Sequence, residues 1–263
     1  MIRNPFQWLN TVVTEPHYFF HFLVFFSYLP IRISASSIFP HDVSLLLLRR
    51  EIQAILAFTI FSAVRMVREE TWEGVIGDTL LFGKAFLFLL ALYVDYHLAL
   101  WYMVAFLVLY ILSQQPVFPE LGAAKTMTPL QLESTLIEGV SSRYWLVEFR
   151  TLSSSTCVRN SRNFPELSVT YVNDNLSFGI VDLGLFPNVA DKVGITLKGN
   201  VGLPAYILFE NATEITRYPK VDFDAKVFHP SVTKEYLSRH FELFTFVCHY
   251  WIFAGIFVSA FRA

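Results

Sequence analysis

The chain has 263 residues, 54% of them hydrophobic and 16% charged, with a net charge of −2 and 27 phenylalanines. A mean hydropathy of +0.46 and a charged content well below the soluble average of about 25% argue against a wholly soluble chain and for membrane segments joined to a soluble part. No basic stripe is present to neutralise phosphates, so nucleic acid is not an expected partner. The only two cysteines, Cys157 and Cys248, exclude a disulfide framework and a cysteine zinc site.

Residues 1–116 are the apolar region. Apolar runs cover 17–33, with Pro30 near the end, then 52–64, 80–94 and 98–112. A span needs about 20 apolar residues, and Arg49-Arg50-Glu51 and Asp95-Tyr96-His97 interrupt the runs. Three or four membrane helices are expected, with 79–112 forming either two short helices or one long broken one. The first run lacks a basic start and a clear small-x-small cleavage site ("SAS" at 34–36 is the nearest), so it reads as a retained anchor.

Residues 117–140 read as a polar linker punctuated by Pro119, Gly122 and Pro129. It contains a short helix with Thr128 as N-cap, Pro129 in the first helical position and Gly139 as C-cap.

Residues 141–241 read as one soluble domain. Strands are expected at 144–149, 177–184, 204–211 and 214–219. Helices are expected at 155–172, kinked by Pro165, at 187–194, and at 231–241 capped by Ser231. This order gives a crossover unit, a hairpin and a closing helix in an α/β layer. Residues 242–263 are apolar again, without a charge from Leu243 to Phe261, and long enough to span or lie in a membrane.

"LVEF" before "SSSTC", then "FGIVDLG" and "GLPAYILF", resemble the strands of the thioredoxin fold around its active-site turn. There Pro204 stands in the position of the family's cis-proline. "REIQAILAFTIFSAVR", "VIGDTLLFGK", "QQPVFPE" and the insertion "ITLKGNVGLP" extend the likeness to the thioredoxin-related transmembrane protein 2 family. Animal members of that family carry S-x-x-C in place of C-x-x-C, which matches Ser154-Ser155-Thr156-Cys157. The resemblance implies an α/β thioredoxin-like domain attached to an N-terminal bundle of three or four transmembrane helices. Two features depart from the pattern. Ser153 replaces the usual aromatic residue before the motif, and the apolar tail replaces a polar ending, either as an extra anchor or as a variant chain end.

Dithiol turnover needs an attacking thiolate and a resolving thiol. Ser154 supplies neither, so at most a monothiol reaction through Cys157 remains. A helix N-terminus favours its thiolate, while burial disfavours it. Glu148 is the second site residue. The resemblance implies an acid beneath the cysteine, and strand alternation sets Glu148 on the face opposite Val147 and Phe149, both faces being covered. Pro204, in cis, would set backbone beside Cys157 and offer an edge to an extended peptide. Three readings of the motif follow in order: a binding or scaffold module that has lost dithiol turnover, a one-cysteine exchanger or redox sensor, and a core thiol in an unrelated domain.

Weaker candidates are His17 and His21, one helical turn apart but lacking a third metal ligand. Asp95 and His97 read as a surface turn rather than the proton relay of a channel or transporter subunit. Lys84 reads as a snorkelling side chain. Asn175-Leu176-Ser177 and Asn211-Ala212-Thr213 are glycosylation sequons that matter only in a lumenal domain. No metal or cofactor is expected. The expected partners are membrane lipids and unidentified proteins, with a homodimer left open. The expected location is the endoplasmic-reticulum membrane, multi-pass, with the domain on the cytosolic side; the compartment is implied by the resemblance.

Overall fold

The computed structural model describes residues 14–36, 39–69, 71–138, 143–197, 202–220 and 232–246. The chain divides into two compact units, residues 1–116 and 117–263.

In the first unit, four helices follow one another: α1 (Pro16–Ser36), α2 (His41–Arg68), α3 (Trp72–Val94) and α4 (Tyr96–Leu112). Two of them, α1 and α3, are long and apolar enough to cross a membrane; α4 is apolar but shorter. The charges of α2 set it apart from these two, so among the described residues two helices meet the length and composition of a span, where three or four spans were expected. The 79–112 stretch is two helices, because Asp95 adopts an extended backbone (φ −160°) between them. Tyr28, Leu87, Ala91, Ala99 and Tyr102 form the core of the unit, and the alanines let α3 and α4 approach.

The charged interruption in α2 has a partner. Glu51 is buried and accepts hydrogen bonds from Tyr28 Oη at 2.7 Å and Arg32 Nε at 2.6 Å, while Arg32 Nη2 reaches Ser44 O at 3.1 Å. A carboxylate away from water needs such partners.

The second unit is built on a five-stranded mixed sheet of β1 (Lys125–Thr126), β2 (Tyr144–Arg150), β3 (Leu176–Asp182), β4 (Ala205–Glu210) and β5 (Thr213–Tyr218), in the order β1-β3-β2-β4-β5. β3 runs parallel to β1 and β2, while β4 is antiparallel to β2 and β5. The helices are α5 (Pro129–Glu138), α6 (Ser155–Asn160), α7 (Asn163–Tyr171), α8 (Pro187–Val193) and α9 (Lys234–His240). One apolar layer joins Trp145, Val147 and Phe149 to Leu132 of α5 and to Val189 and Ala190 of α8. The other joins Leu146, Ile180 and Leu208 to Phe164 and Leu167 of α7 and Leu237 of α9. β2 is therefore covered on both faces, which makes its polar residues at 148 and 150 informative.

Several expectations shift. The segment read as a linker, 117–140, supplies β1 and α5 to this unit, with Ala124, Met127 and Leu132 buried. Thr128 caps α5 in a reciprocal box with Gln131: each backbone N–H donates to the other's side chain, at 2.9 and 3.3 Å. Gly139 lies outside the described residues. The 155–172 helix breaks at Ser161–Arg162, before Pro165, because a proline is tolerated in the first turn of a new helix. The break is held by the chain before β1. Ser161 Oγ accepts from Phe118 N at 3.0 Å, and Ser168 Oγ accepts from Ala123 N at 2.9 Å. The closing helix is capped by Thr233, whose side chain accepts from Tyr236 N; Ser231 lies outside the described residues. The apolar tail begins inside the fold, with Leu243 buried and the Phe246 ring 4.8 Å from that of Tyr144. Residues 247–263, including Cys248, lie outside the described residues, as do 198–201 of the "ITLKGNVGLP" loop.

Candidate functional site

β2 ends at Arg150, and the chain turns through Thr151–Ser154 into α6. The turn is tied by Ser154 N to Thr151 O at 3.2 Å and by Thr151 Oγ1 to Ser153 Oγ at 3.0 Å. Ser154 is the residue before α6 and is 3% exposed; Cys157, at the third helical position, is 1% exposed. Cys157 packs among Val147, Phe149 and other apolar side chains of the first layer. Burial pushes its thiol above the ordinary value, outweighing the Thr151 backbone, the Ser154 hydroxyl and the Arg150 guanidinium, which favour the thiolate; the Glu148 carboxylate also opposes it. A helix of six residues contributes little dipole, so the buried environment prevails.

Glu148 is fully buried, on the strand face opposite Val147 and Phe149, as alternation requires. Its cross-strand partner is Tyr206 on β4, and its neighbour on β3 is Ile180. Arg150, two residues further along the same face, sets Nη1 3.9 Å from Glu148 Oε2. Burial raises the Glu148 carboxyl to about 7, against Arg150 and the Tyr206 hydroxyl, which favour its charged form. Burial raises the Tyr206 phenol well above its ordinary value, and the nearby Glu148 and Cys157 charges add to this. The Leu203–Pro204 peptide is cis and leads directly into β4, so the Pro204 backbone and the Cys157 turn meet at the same end of the sheet.

Sequence reasoning named Cys157, Ser154, Glu148 and Pro204 and missed Arg150 and Tyr206. The signal for Arg150 was available: it follows Glu148 by two on a strand covered on both faces. Tyr206 depended on the β2–β4 register, which no local pattern specifies.

The weaker candidates stand apart. The His17 and His21 rings lie 4.4 Å apart, with His21 Nδ1 donating to His17 O at 2.7 Å. No group of three or more His, Cys, Asp or Glu that could hold a metal occurs among the described residues. His97 and Asp95 approach to 3.5 Å at the exposed α3–α4 junction. Lys84 Nζ lies 5.9 Å from the centre of the Phe106 ring. Asn175 is exposed beside buried Leu176, and Asn211 sits in the β4–β5 turn with φ 45°.

No family model matches the chain. The chain is 28% identical over 195 residues to thioredoxin-related transmembrane protein 2 of Xenopus tropicalis, covering 74% of this chain and 68% of that one. The 2-B protein of Danio rerio is 26% identical, with 74% and 63% covered. The Drosophila melanogaster homolog is 40% identical over 84 residues, 32% and 31% of the two chains. Among solved structures, a thioredoxin from Nicotiana alata matches at 14% identity and a TM-score of 0.36, covering 47% of this chain and 94% of that one. A Plasmodium falciparum thioredoxin matches at 18% and 0.33, with 44% and 93% covered. The resemblance to the thioredoxin-related transmembrane protein 2 family thus extends over about three-quarters of the sequence.

Proposed function

We propose that this chain is a multi-pass membrane protein of the endoplasmic reticulum whose thioredoxin-like domain binds protein partners without dithiol turnover. The observation that carries this reading is the pair at the active-site turn. Ser154 stands where the attacking thiol would be, and Cys157 is buried with its thiol made less acidic. The domain is proposed to face the cytosol, in keeping with the absence of a second cysteine within the thioredoxin-like fold.

A second reading is redox sensing through Cys157, the one free cysteine among the described residues, at the active-site turn.

The test is a Cys157→Ala change in the full chain, with co-purifying proteins quantified from membranes. The binding reading expects the set to persist and the purified protein to reduce no insulin. Loss of the whole set on removing one thiol would replace it with the redox reading. Maleimide labelling of Cys157 in a Cys248→Ser chain, in sealed vesicles and after permeabilisation, tests the side: signal that appears only on permeabilisation would overturn the cytosolic assignment.

A further inference from the structure

A cleft of about 360 Å³ lies between α1, α2 and α3 of the first unit. Its walls come from Phe25 of α1, Ala54 and Phe58 of α2, and Thr79, Gly83 and Leu90 of α3. Small residues open it where large ones hold the helices together. Gly83 lets Phe25 approach: a Cβ there would lie 3.1 Å from Phe25 Cζ and 3.7 Å from Phe58 Cζ. The Phe58 and Phe86 rings, 5.3 Å apart, bridge α2 and α3 beside it. Ile55 also lines the cleft and is 58% exposed, so the cleft opens to the surroundings of the helices. Lys84, next to Gly83, lies by Phe106 of α4 and does not line it.

The α3 residues of the cleft occupy the middle of a helix long and apolar enough to span, as Phe25 does in α1. At that depth the surroundings are hydrocarbon. The volume is within the range of about 300–1,000 Å³ that small ligands fill. Left empty, it would forfeit dispersion contacts along every wall. Water is a poor filler, because it needs about two to four polar partners, and Thr79 is the one polar side chain among the described lining residues.

A cation stands beyond one end. Arg65 follows Phe58 by two turns, about 10 Å along α2, which is the reach of a glycerol ester and the first methylenes of its chain. The Arg65 guanidinium lies 5.9 Å from the centre of the Phe61 ring and 5.5 Å from that of Phe82. Those two rings, 4.4 Å apart, continue the α2–α3 contact towards the charge. The Arg65 side chain is 38% exposed, and Asp78 Oδ2 stands 3.7 Å from its Nη1, longer than a hydrogen bond. Arg68, in the same last turn of α2, is exposed.

We infer that the cleft holds one acyl chain of an anionic membrane phospholipid, with its phosphate paired to Arg65. A sterol would fill the space but bring no anion to the guanidinium. A helix of a second copy, about 10–12 Å across, is too wide for it. Lipid held in this way is a bound ligand, distinct from the exchanging lipid around the helices.

This rests on the reading of the first unit as membrane-embedded, which alkaline carbonate extraction of membranes tests separately. The full chain is purified in mild detergent, and native mass spectrometry reads the adducts it keeps. Phosphatidylserine and phosphatidylcholine with identical chains are the added probes. The parent is expected to retain one phospholipid and to favour phosphatidylserine by about fivefold, the worth of one arginine at a headgroup. Ala54→Phe fills the cleft from α2 and is expected to lower retention by about tenfold. Thr79→Leu fills it from α3 and serves as the second variant if Ala54→Phe fails to fold; far-UV circular dichroism checks both. Arg65→Gln is made together with Asp78→Asn, so that no buried carboxylate loses its cation. That double variant is expected to keep the adduct and lose the headgroup preference. Parent-like retention in a folded filled variant would overturn the inference. So would a sterol or a second copy retained in place of the phospholipid, or an undiminished phosphatidylserine preference without Arg65. Release of the chain by carbonate would overturn the membrane reading and this inference together. A chain that stays in the membrane yet keeps no lipid would overturn this inference alone.

Discussion

Glu148 and Tyr206 face each other directly across the antiparallel pair of β2 and β4, fully buried, on the face away from Val147 and Phe149. A carboxyl enclosed in this way is a charge that folding must either neutralise or compensate. Its value of about 7, against 4.5 when exposed, makes the folded domain the better proton binder. Relative to pH below about 4.5, where both states are protonated, stability from this group falls as pH rises to 7 and is then constant. The loss is on the order of 3 kcal/mol. Hydrogen exchange of the β2 amides in the full chain should show protection declining between pH 4.5 and 7.5, after correction for intrinsic exchange. In Glu148→Gln that decline should flatten. An unchanged slope in the variant would show that the carboxyl is not the group responsible.

Restoring the missing sulfur is the direct test of what the turn retains. Ser154 is 3% exposed and its hydroxyl acts on the Cys157 thiol, so the two positions are already neighbours. Ser154→Cys should create a dithiol that forms an intramolecular disulfide and gives measurable insulin reduction, where the parent is expected to give none. A variant that folds, keeps both thiols free under mild oxidant and stays inactive would mean that the turn geometry has drifted from a redox-competent one.

Gly122 has φ +62°, and a Cβ there would lie 2.3 Å from Pro165 O and 2.7 Å from Ser168 Oγ. Gly122→Ala should destabilise the second unit by roughly 2 kcal/mol or more, since a left-handed backbone and a close approach are both lost. Limited proteolysis should detect this as earlier cleavage within 117–124. Parent-like resistance would show that the neighbouring helix accommodates the methyl.

In the helical unit, Glu51→Leu alone leaves the largely enclosed Arg32 guanidinium without its carboxylate. The expected cost is about 3 kcal/mol, read by titration with a denaturing detergent. The double change Glu51→Leu with Arg32→Met should recover most of the loss, because an apolar pair needs no compensation. A double variant no better than the single one would point to Tyr28 or Ser44 as the partner that matters.

Much of this architecture was legible from residue patterns. The strands expected at 144–149, 177–184, 204–211 and 214–219 form at Tyr144–Arg150, Leu176–Asp182, Ala205–Glu210 and Thr213–Tyr218, and the helix expected at 187–194 forms as α8 with Gly194 closing it in a left-handed conformation. What local patterns could not give depends on distant partners. Lys125–Thr126 is too short to read as a strand and becomes one only by pairing with Gly179 and Ile180. Pro165 looked like the helix breaker because propensity is local. The actual break is made by Ser161 and Ser168 accepting backbone N–H groups from Phe118 and Ala123, more than 40 residues earlier. Glu51 looked like an interruption of a span until Tyr28 and Arg32, on another helix, supplied its partners.

The two borders of the sheet are also worth following outward. On one side β1 is two residues long; on the other, β5 carries Glu214 and Arg217 paired to each other, and its register with β4 shifts at Leu208/Phe209. A strand from a second molecule would meet too few free amides at the first border and a charged, irregular rail at the second. Among the described residues, neither border therefore offers a long regular edge on which strands of neighbouring copies could stack.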